Sequence, residues 1–438
     1  MGRSFYRSRS YNDTELKFYI GAFVVLTITT AYFMIFGGAG KMAQVVYASS
    51  AFWFMTLLSF AIGLAAKFKH PEDFTWPEYV LYGMFCANTF FGLYALMFTT
   101  STDLVRKEIW NGKATSAHYQ EAHTDKRTET TYDSKGRANG TRTVYYPHSA
   151  EYSVESTAGD YGSNSTIYRN FKNLWGNETS KFGSCASAAG PFLVYTTRDT
   201  GRSEHLVPVS LEHRYVNFVT ASDTIKKLRG EYPEHKANIR EHPHCYSGDY
   251  GPTEFNRVVT ASAPMRQSWA NAVDTMLDRK LVQIGPSHQC NVIVYVVGSG
   301  DQKFAHALEA AWKMGEKNDI VVVVGAPNFP EVEWAYVMAW TDVEEFKITL
   351  RDRILALGKD AEGDARGIGH AGNFVDTICS QITASTTNGG FKRKPMSDYD
   401  YLIAEIGLPW WATLLIVLIG GGLQAGAATL LIRNGIRD

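Results

Sequence analysis

Six side chains able to bind a metal ion fall in two short stretches: His235, His242, His244 and Cys245, then His288 and Cys290. His242-Pro-His-Cys245 with His288-Gln-Cys290 offers the nitrogen and sulfur donors of a closed tetrahedral zinc site, at a spacing that matches no standard finger. The same residues allow a different chemistry, a Cys245–Cys290 disulfide with the histidines solvated on loops. Cys185, Cys245, Cys290 and Cys379 are an even number in the polar part of the chain. They allow three pairings if oxidised and buried thiols if not.

Carboxylates provide a second set. Ser299-Gly-Asp301 follows an apolar, β-branched run at 291–297 and precedes a helical pattern, so it stands where an α/β sheet holds ligands. Asp301, Asp319 and Asp342 are the carboxylates that could hold a divalent cation, and helix capping competes for two of them. No cofactor is certain from the sequence. Val297-Gly-Ser-Gly300 is a short glycine turn without a dinucleotide fingerprint or phosphate-binding lysine. There is no Gly-x-Ser-x-Gly elbow, His-Glu-x-x-His pair or kinase signature.

The elements that would position these residues begin at a membrane. Tyr19–Phe36, Val45–Ala66, Val80–Thr100 and Leu408–Ile432 are each long and apolar enough to cross hydrocarbon as a helix. No charged residue sits deep in them, which argues against a channel or transporter. Asn88 is the one strongly polar side chain deep in the third span, placed to bond a neighbouring helix. In the last span Gly422 and Gly426 form a small-xxx-small face, with Gln424 beside it. That face can pack on the other spans or on a second copy. Arg3, Arg7, Arg9, Lys17, Lys67, Lys69, Arg433 and Arg437 outnumber Lys41, Arg106 and Lys107 across the flanks. The balance puts both termini in the cytoplasm and the large polar region outside it. A formal net charge of −1 argues against nucleic acid as the partner.

Between the spans, the first half of the polar region alternates like strands. Arg127–Tyr132 and Thr141–Tyr146 flank a turn-rich stretch and predict a hairpin; Phe192–Thr197 and Leu206–Ser210 are further strands. Asn139, Asn164 and Asn177 each match the glycosylation acceptor pattern. The second half reads β-α-β-β-α-α: strands at Asn291–Val297 and Asp319–Gly325, a helix at Gln302–Gly315, and an alternating strand at Val332–Trp340. Thr341-Asp-Val-Glu344 is a capping box for the next helix, and Gly372–Thr383 is the last one.

Residues about 285–390 resemble a TPM-type domain. The resemblance rests on Ala311-Trp312-Lys-Met-Gly315 after an amphipathic helix, then strand Ile320–Val324, alternating strand Val332–Trp340 and Thr341-Asp342. The family's Gly-Tyr-Gly element is replaced here by Ala339-Trp340-Thr341. The resemblance implies a small α/β module tethered to a membrane, in a family described variously as phosphatases and as assembly or repair factors.

The expected class is therefore an integral membrane α-helical protein, with four transmembrane helices arranged 3+1, bearing an extramembrane α+β or α/β domain. The expected organisation is a cytoplasmic tail at 1–16, three spans at 17–100, a β-rich region at 101–263 and an α/β domain at 264–395. An interfacial segment and fourth span follow at 396–432, then a tail at 433–438. The leading functional expectation is a scaffold or assembly protein of the plasma (inner) membrane, self-associating and binding a membrane or extracytoplasmic protein. The alternative is a membrane-tethered, metal-dependent hydrolase of the phosphatase type.

Overall fold

The computed structural model describes residues 45–47, 49–72, 76–101, 105–183, 188–219, 222, 232–358, 367–405 and 407–434. The span expected at Tyr19–Phe36 and Cys185 lie outside them. The chain divides into two units, Met1–Arg106 with Val216–Leu228 and Pro395–Asp438, and Lys107–Tyr215 with Arg229–Lys394.

In the first unit, three helices among the described residues are long and apolar enough to cross a membrane, at Ser50–Lys69, Glu78–Phe98 and Trp410–Thr429. Phe52, Met55, Tyr82, Cys86, Phe90, Tyr94 and Ile416 form their shared interior. Phe54, Leu57, Phe85, Leu96, Leu414 and Leu418 point outward, an arrangement suited to lipid. Buried Gln424 donates to Ser59 Oγ across two helices. Asn88 departs from expectation: its amide donates 2.9 Å back to Met84 O on its own helix. The glycine face also differs. A Cβ at Gly420 would lie 2.2 Å from Phe90 Cε1, whereas Gly422 and Gly426 have nothing within 4 Å among the described residues. The close helix approach therefore falls at Gly420, two residues earlier.

The second unit opens with β1 (Val105–Gln120), β2 (His123–Tyr132), β3 (Ala138–His148), β4 (Glu151–Ser156), β5 (Tyr161–Gly162) and helix α1 (Ser165–Trp175). It continues with β6 (Thr179–Phe182), β7 (Leu193–Arg198), β8 (Pro208–Val216), β9 (Cys245–Gly248) and β10 (Gly251–Phe255). A sheet ordered β5-β4-β1-β7-β6, with β8 also on β1, packs under α1 through Tyr168, Phe171 and Trp175. The predicted hairpin forms as a separate two-stranded ribbon, β2 on β3. Its turn is closed by Asp133 Oδ1, which accepts from Lys135 N and Arg137 N at 2.8 Å each, with Gly136 at φ +74°. Two of the glycosylation-pattern asparagines do structural work. Asn164 caps α1, and Asn177 is bonded to Thr197 and Arg198.

The α/β half comprises β11 (Val258–Ala261), α2 (Gln267–His288), β12 (Asn291–Val297), α3 (Lys303–Ala311), β13 (Asp319–Gly325), β14 (Trp334–Ala339), α4 (Glu344–Gly358) and α5 (Ala371–Ile382). The sheet runs β11-β12-β13-β14, parallel except for β14. Strand alternation splits β12 between two cores. Val292, Val294 and Val296 face α2, α4 and α5, while Ile293, Tyr295 and Val297 face α3. The result is a three-layer arrangement. The helix expected to reach Gly315 stops at Ala311 because Lys313, Met314 and Gly315 all take positive φ. The Trp312 indole donates to Arg240 O there. The capping box does not close on its expected atoms either. Thr341 Oγ1 accepts from Val343 N at 3.1 Å and donates to Lys392 O, and the helix starts at Glu344.

Gly420→Leu is expected to lower the melting temperature of the detergent-solubilised protein by several degrees, since the Phe90 ring occupies its space. Gly422→Leu is expected to leave the monomer's melting temperature unchanged.

Candidate functional site

Among the described residues Arg257 is the largest fully buried side chain, 1% exposed, on the two-residue link between β10 and β11. A lone guanidinium in that setting would cost several kcal/mol, so its N–H groups must find acceptors. Nε donates to Asp278 Oδ1 at 2.6 Å and Nη1 to Asn291 Oδ1 at 2.5 Å. Nη2 donates to Asn111 Oδ1 at 2.8 Å and Ser210 Oγ at 2.7 Å. The acceptors come from α2, β12, β1 and β8, so one cation ties both sheets together. From Asn291 the chain of bonds continues: Nδ2 donates to Asp319 Oδ1 at 2.9 Å, and His242 Nε2 meets Asp319 Oδ2 at 2.7 Å. Glu316 N also donates to Asp319 Oδ2, at 2.9 Å. Burial opposes charge on Asp319, but His242 and the two donors outweigh it and hold the carboxyl below its usual range. Burial likewise opposes charge on His242, and Asp319 overrides it and raises the imidazole. Asp319 stabilises the fold above its unfolded pKa of about 3.9, and His242 does so below about 6.5 and up to its raised folded value.

Above this network opens a cleft of about 330 Å³, lined among others by Glu204, Tyr246, Glu254, Asp274, Thr275 and Asp278. Ser210 and Asp278 line it and also bond Arg257, so the network forms part of its wall. Asp274 and Asp278 stand four apart on α2 and therefore share a helix face. Asp274 Oδ1 accepts from Arg257 N at 2.6 Å. Burial, and then the charge of Asp278, push the Asp274 carboxyl up to about 6. A cleft holding several carboxylates and a perturbed acid attracts cationic groups or exchanges protons near neutral pH.

The residues singled out from the sequence are dispersed. His242 and Asp319, assigned to two different metal sets, are brought together as an ion pair. His244 is exposed, and His288 ends α2 with Nδ1 2.9 Å from Ser287 Oγ. Cys245, Cys290 and Cys379 are free thiols, which corrects the Cys245–Cys290 disulfide. Cys245 Sγ donates to Ser210 O, while Cys290 packs in the core on the other sheet face. Burial pushes the Cys245 and Cys290 thiols up to about 12 and Cys379 up to about 11, so they are neutral at physiological pH. The three carboxylates do not share one site. Asp301 follows β12 and accepts from Lys303 N at the start of α3, Asp319 begins β13, and Asp342 pairs with Lys392 Nζ at 3.0 Å. His235 Nε2 stands 3.3 Å from Asp301 Oδ2, without hydrogen-bond alignment.

Two further clusters carry chemistry-bearing groups. Ser116 Oγ lies 2.9 Å from His118 Nε2, as a nucleophile and base would. Glu155, however, meets Ser116 and the same Nε2, and Thr196 Oγ1 occupies Nδ1 at 3.0 Å. The carboxylate is thus on the wrong ring nitrogen to orient the base. Among the described residues one group of three could hold a metal ion: His123, Asp125 and His148. The predicted hairpin puts these residues on neighbouring strands, but only the observed register, with Arg127 opposite Val144 and a shift near the turn, sets His123 opposite His148. The helical spacing of Trp269, Val273, Leu277 and Leu281 is the signal that could have put Asp274 and Asp278 on one face, whereas nothing local marks Arg257 as buried.

No family model matches the chain, and no curated protein matches it.

Arg257→Met is expected to cost about 3–5 kcal/mol in chemical denaturation, because it leaves the part-buried Asp278 carboxylate and several buried amide and hydroxyl groups without their partner. Arg257→Lys should not rescue it, since an ammonium cannot reach the same fork of acceptors. Asp274 binds its proton more tightly when folded, so its contribution is present below the unfolded pKa and lost as pH rises through about 6. Asp274→Asn, which keeps the acceptor for Arg257 N, is expected to stabilise the protein by about 1–3 kcal/mol at pH 8. The gain should shrink below pH 6 and vanish near pH 4, as read from denaturation curves at each pH.

Proposed function

We propose that the protein is a membrane-anchored scaffold or assembly factor whose polar unit binds a basic segment of a partner protein in the acidic cleft. The observation that carries this reading is the cleft itself. Glu204, Glu254, Asp274 and Asp278 line it, and the buried cation nearest them, Arg257, is already held by Asp278 and three neutral groups. Three apolar helices without interior charges supply the anchor. The basic flanks favour a plasma (inner) membrane protein with cytoplasmic termini and the polar unit outside, tied down at both ends. Among the described residues the Gly422–Gly426 face is uncovered, which supports association between copies. The TPM-type resemblance fits an assembly role on a three-layer α/β module.

A hydrolase is the second reading, favoured by Asp274: a carboxyl with a pKa of about 6 beside a second carboxylate suits general acid–base work. It draws on Asp274 and Asp278 rather than on Asp301.

Titration of the purified full-length protein with a short oligolysine peptide should show saturable binding that weakens at least tenfold in Glu254→Gln/Asp274→Asn and at high salt. Equal binding by the double variant would refute the cleft as the docking site. Turnover of a phosphoester with a rate that follows an apparent pKa near 6, lost in Asp274→Asn, would favour the hydrolase. Native mass spectrometry in detergent tests association: a strict monomer that tolerates leucine at Gly422 and Gly426 would remove it.

A further inference from the structure

The base of the β2–β3 ribbon places three ligand-type side chains on one face. His123 and His148 are directly paired across the strands, and Asp125 lies two residues along β2 from His123. His148 Nε2 is 3.4 Å from Asp125 Oδ2, and His123 Nε2 is 3.7 Å from Asp125 Oδ1. The second distance is too long for a hydrogen bond. Both are close to the separation of about 3.3–3.5 Å between donors that each stand about 2.0–2.2 Å from one tetrahedral ion. All three donor atoms lie within 4.8 Å of one another.

The surroundings prepare His123 as a ligand. Its Nδ1 lies 3.3 Å from Glu121 O, closer than the 3.5 Å to Gln120 Nε2, and in the tautomer that donates to Glu121 O the Nε2 lone pair is directed at the cluster. Phe192 stacks on the ring at 4.0 Å and 17°, and His148 stacks at 4.9 Å and 13°, which fixes its plane. The His123 side chain is only 8% exposed, whereas His148 is 41% exposed. An ion would therefore enter past His148 and be held from beneath by His123. Two imidazoles and one carboxylate favour first-row transition ions over calcium or magnesium, which prefer all-oxygen shells.

We propose that His123, Asp125 and His148 bind one divalent transition-metal ion of the zinc class, with two imidazole nitrogens and one carboxylate as protein ligands and the remaining position open to water or to a donor from a partner. The ion joins both strands at the foot of the ribbon.

The test uses the full-length protein, purified in detergent through a tag without histidine and stripped with EDTA, and titrated calorimetrically with zinc chloride. One ion per chain is expected. His123→Ala, Asp125→Asn and His148→Gln should each weaken binding by about 10–100-fold. Because His148 is the most exposed of the three, His148→Gln with an unchanged circular dichroism spectrum decides the matter if either other variant misfolds. Cobalt loading should give visible d–d absorption that His148→Gln abolishes. Failure of the wild type to take up zinc, nickel or copper would overturn the proposal. So would wild-type affinity in all three variants, which would put the ion elsewhere, or binding of calcium or magnesium as tight as that of zinc.

Discussion

Desolvation of the Arg257 guanidinium is the constraint around which the polar unit is arranged. A charge 1% exposed must be answered by acceptors already in place, and they arrive from α2, β12, β1 and β8. None of those elements could move independently without orphaning a buried donor or acceptor. The requirement runs on through Asn291 to Asp319 and His242, whose opposite charges permit each other's burial. Asp278 and His242, the ends of this path, keep 25% and 21% side-chain exposure. The network thus fixes the relation between the β-rich sheet and the three-layer module, and it supplies part of the wall of the acidic cleft.

The apolar unit works by the opposite rule. Among the described residues an amide–hydroxyl contact, Gln424 to Ser59, adds polar specificity between its helices. Close approach is set by a missing side chain at Gly420 against the Phe90 ring. In an apolar surrounding, such shape fit and a few hydrogen bonds replace the hydrophobic drive that packs the polar unit.

The α/β half was the most legible part of the chain. Strands at Asn291–Val297 and Asp319–Gly325 are found where apolar, β-branched runs placed them, because strands buried on both faces need continuous hydrophobicity. The β2–β3 ribbon was legible because alternation and turn residues are local signals. Helix α2 was missed although Trp269, Val273, Leu277, Leu281 and Ile284 recur at helical spacing. Helix ends were less legible: α3 stops at Ala311, where Trp312 is anchored by a distant carbonyl. The histidine and cysteine cluster failed as a site for a related reason. Short spacing in sequence suggested convergence, whereas strand β9 carries Cys245 to one core and the turn between α2 and β12 places Cys290 in the other.

The sequence by itself determined which segments are apolar enough to span a membrane, the order of elements from β12 onward, and the presence of the hairpin. All three follow from hydrophobic period and turn chemistry, which act between near neighbours. Only the tertiary structure decided what the chemistry-bearing residues do. It joined His242 to Asp319, buried Arg257 among four elements, raised Asp274 beside Asp278, kept the described thiols of the second unit apart and set His123, Asp125 and His148 on one face. Burial and charge proximity depend on what packs against a side chain from elsewhere in the chain, and no local pattern carries that information.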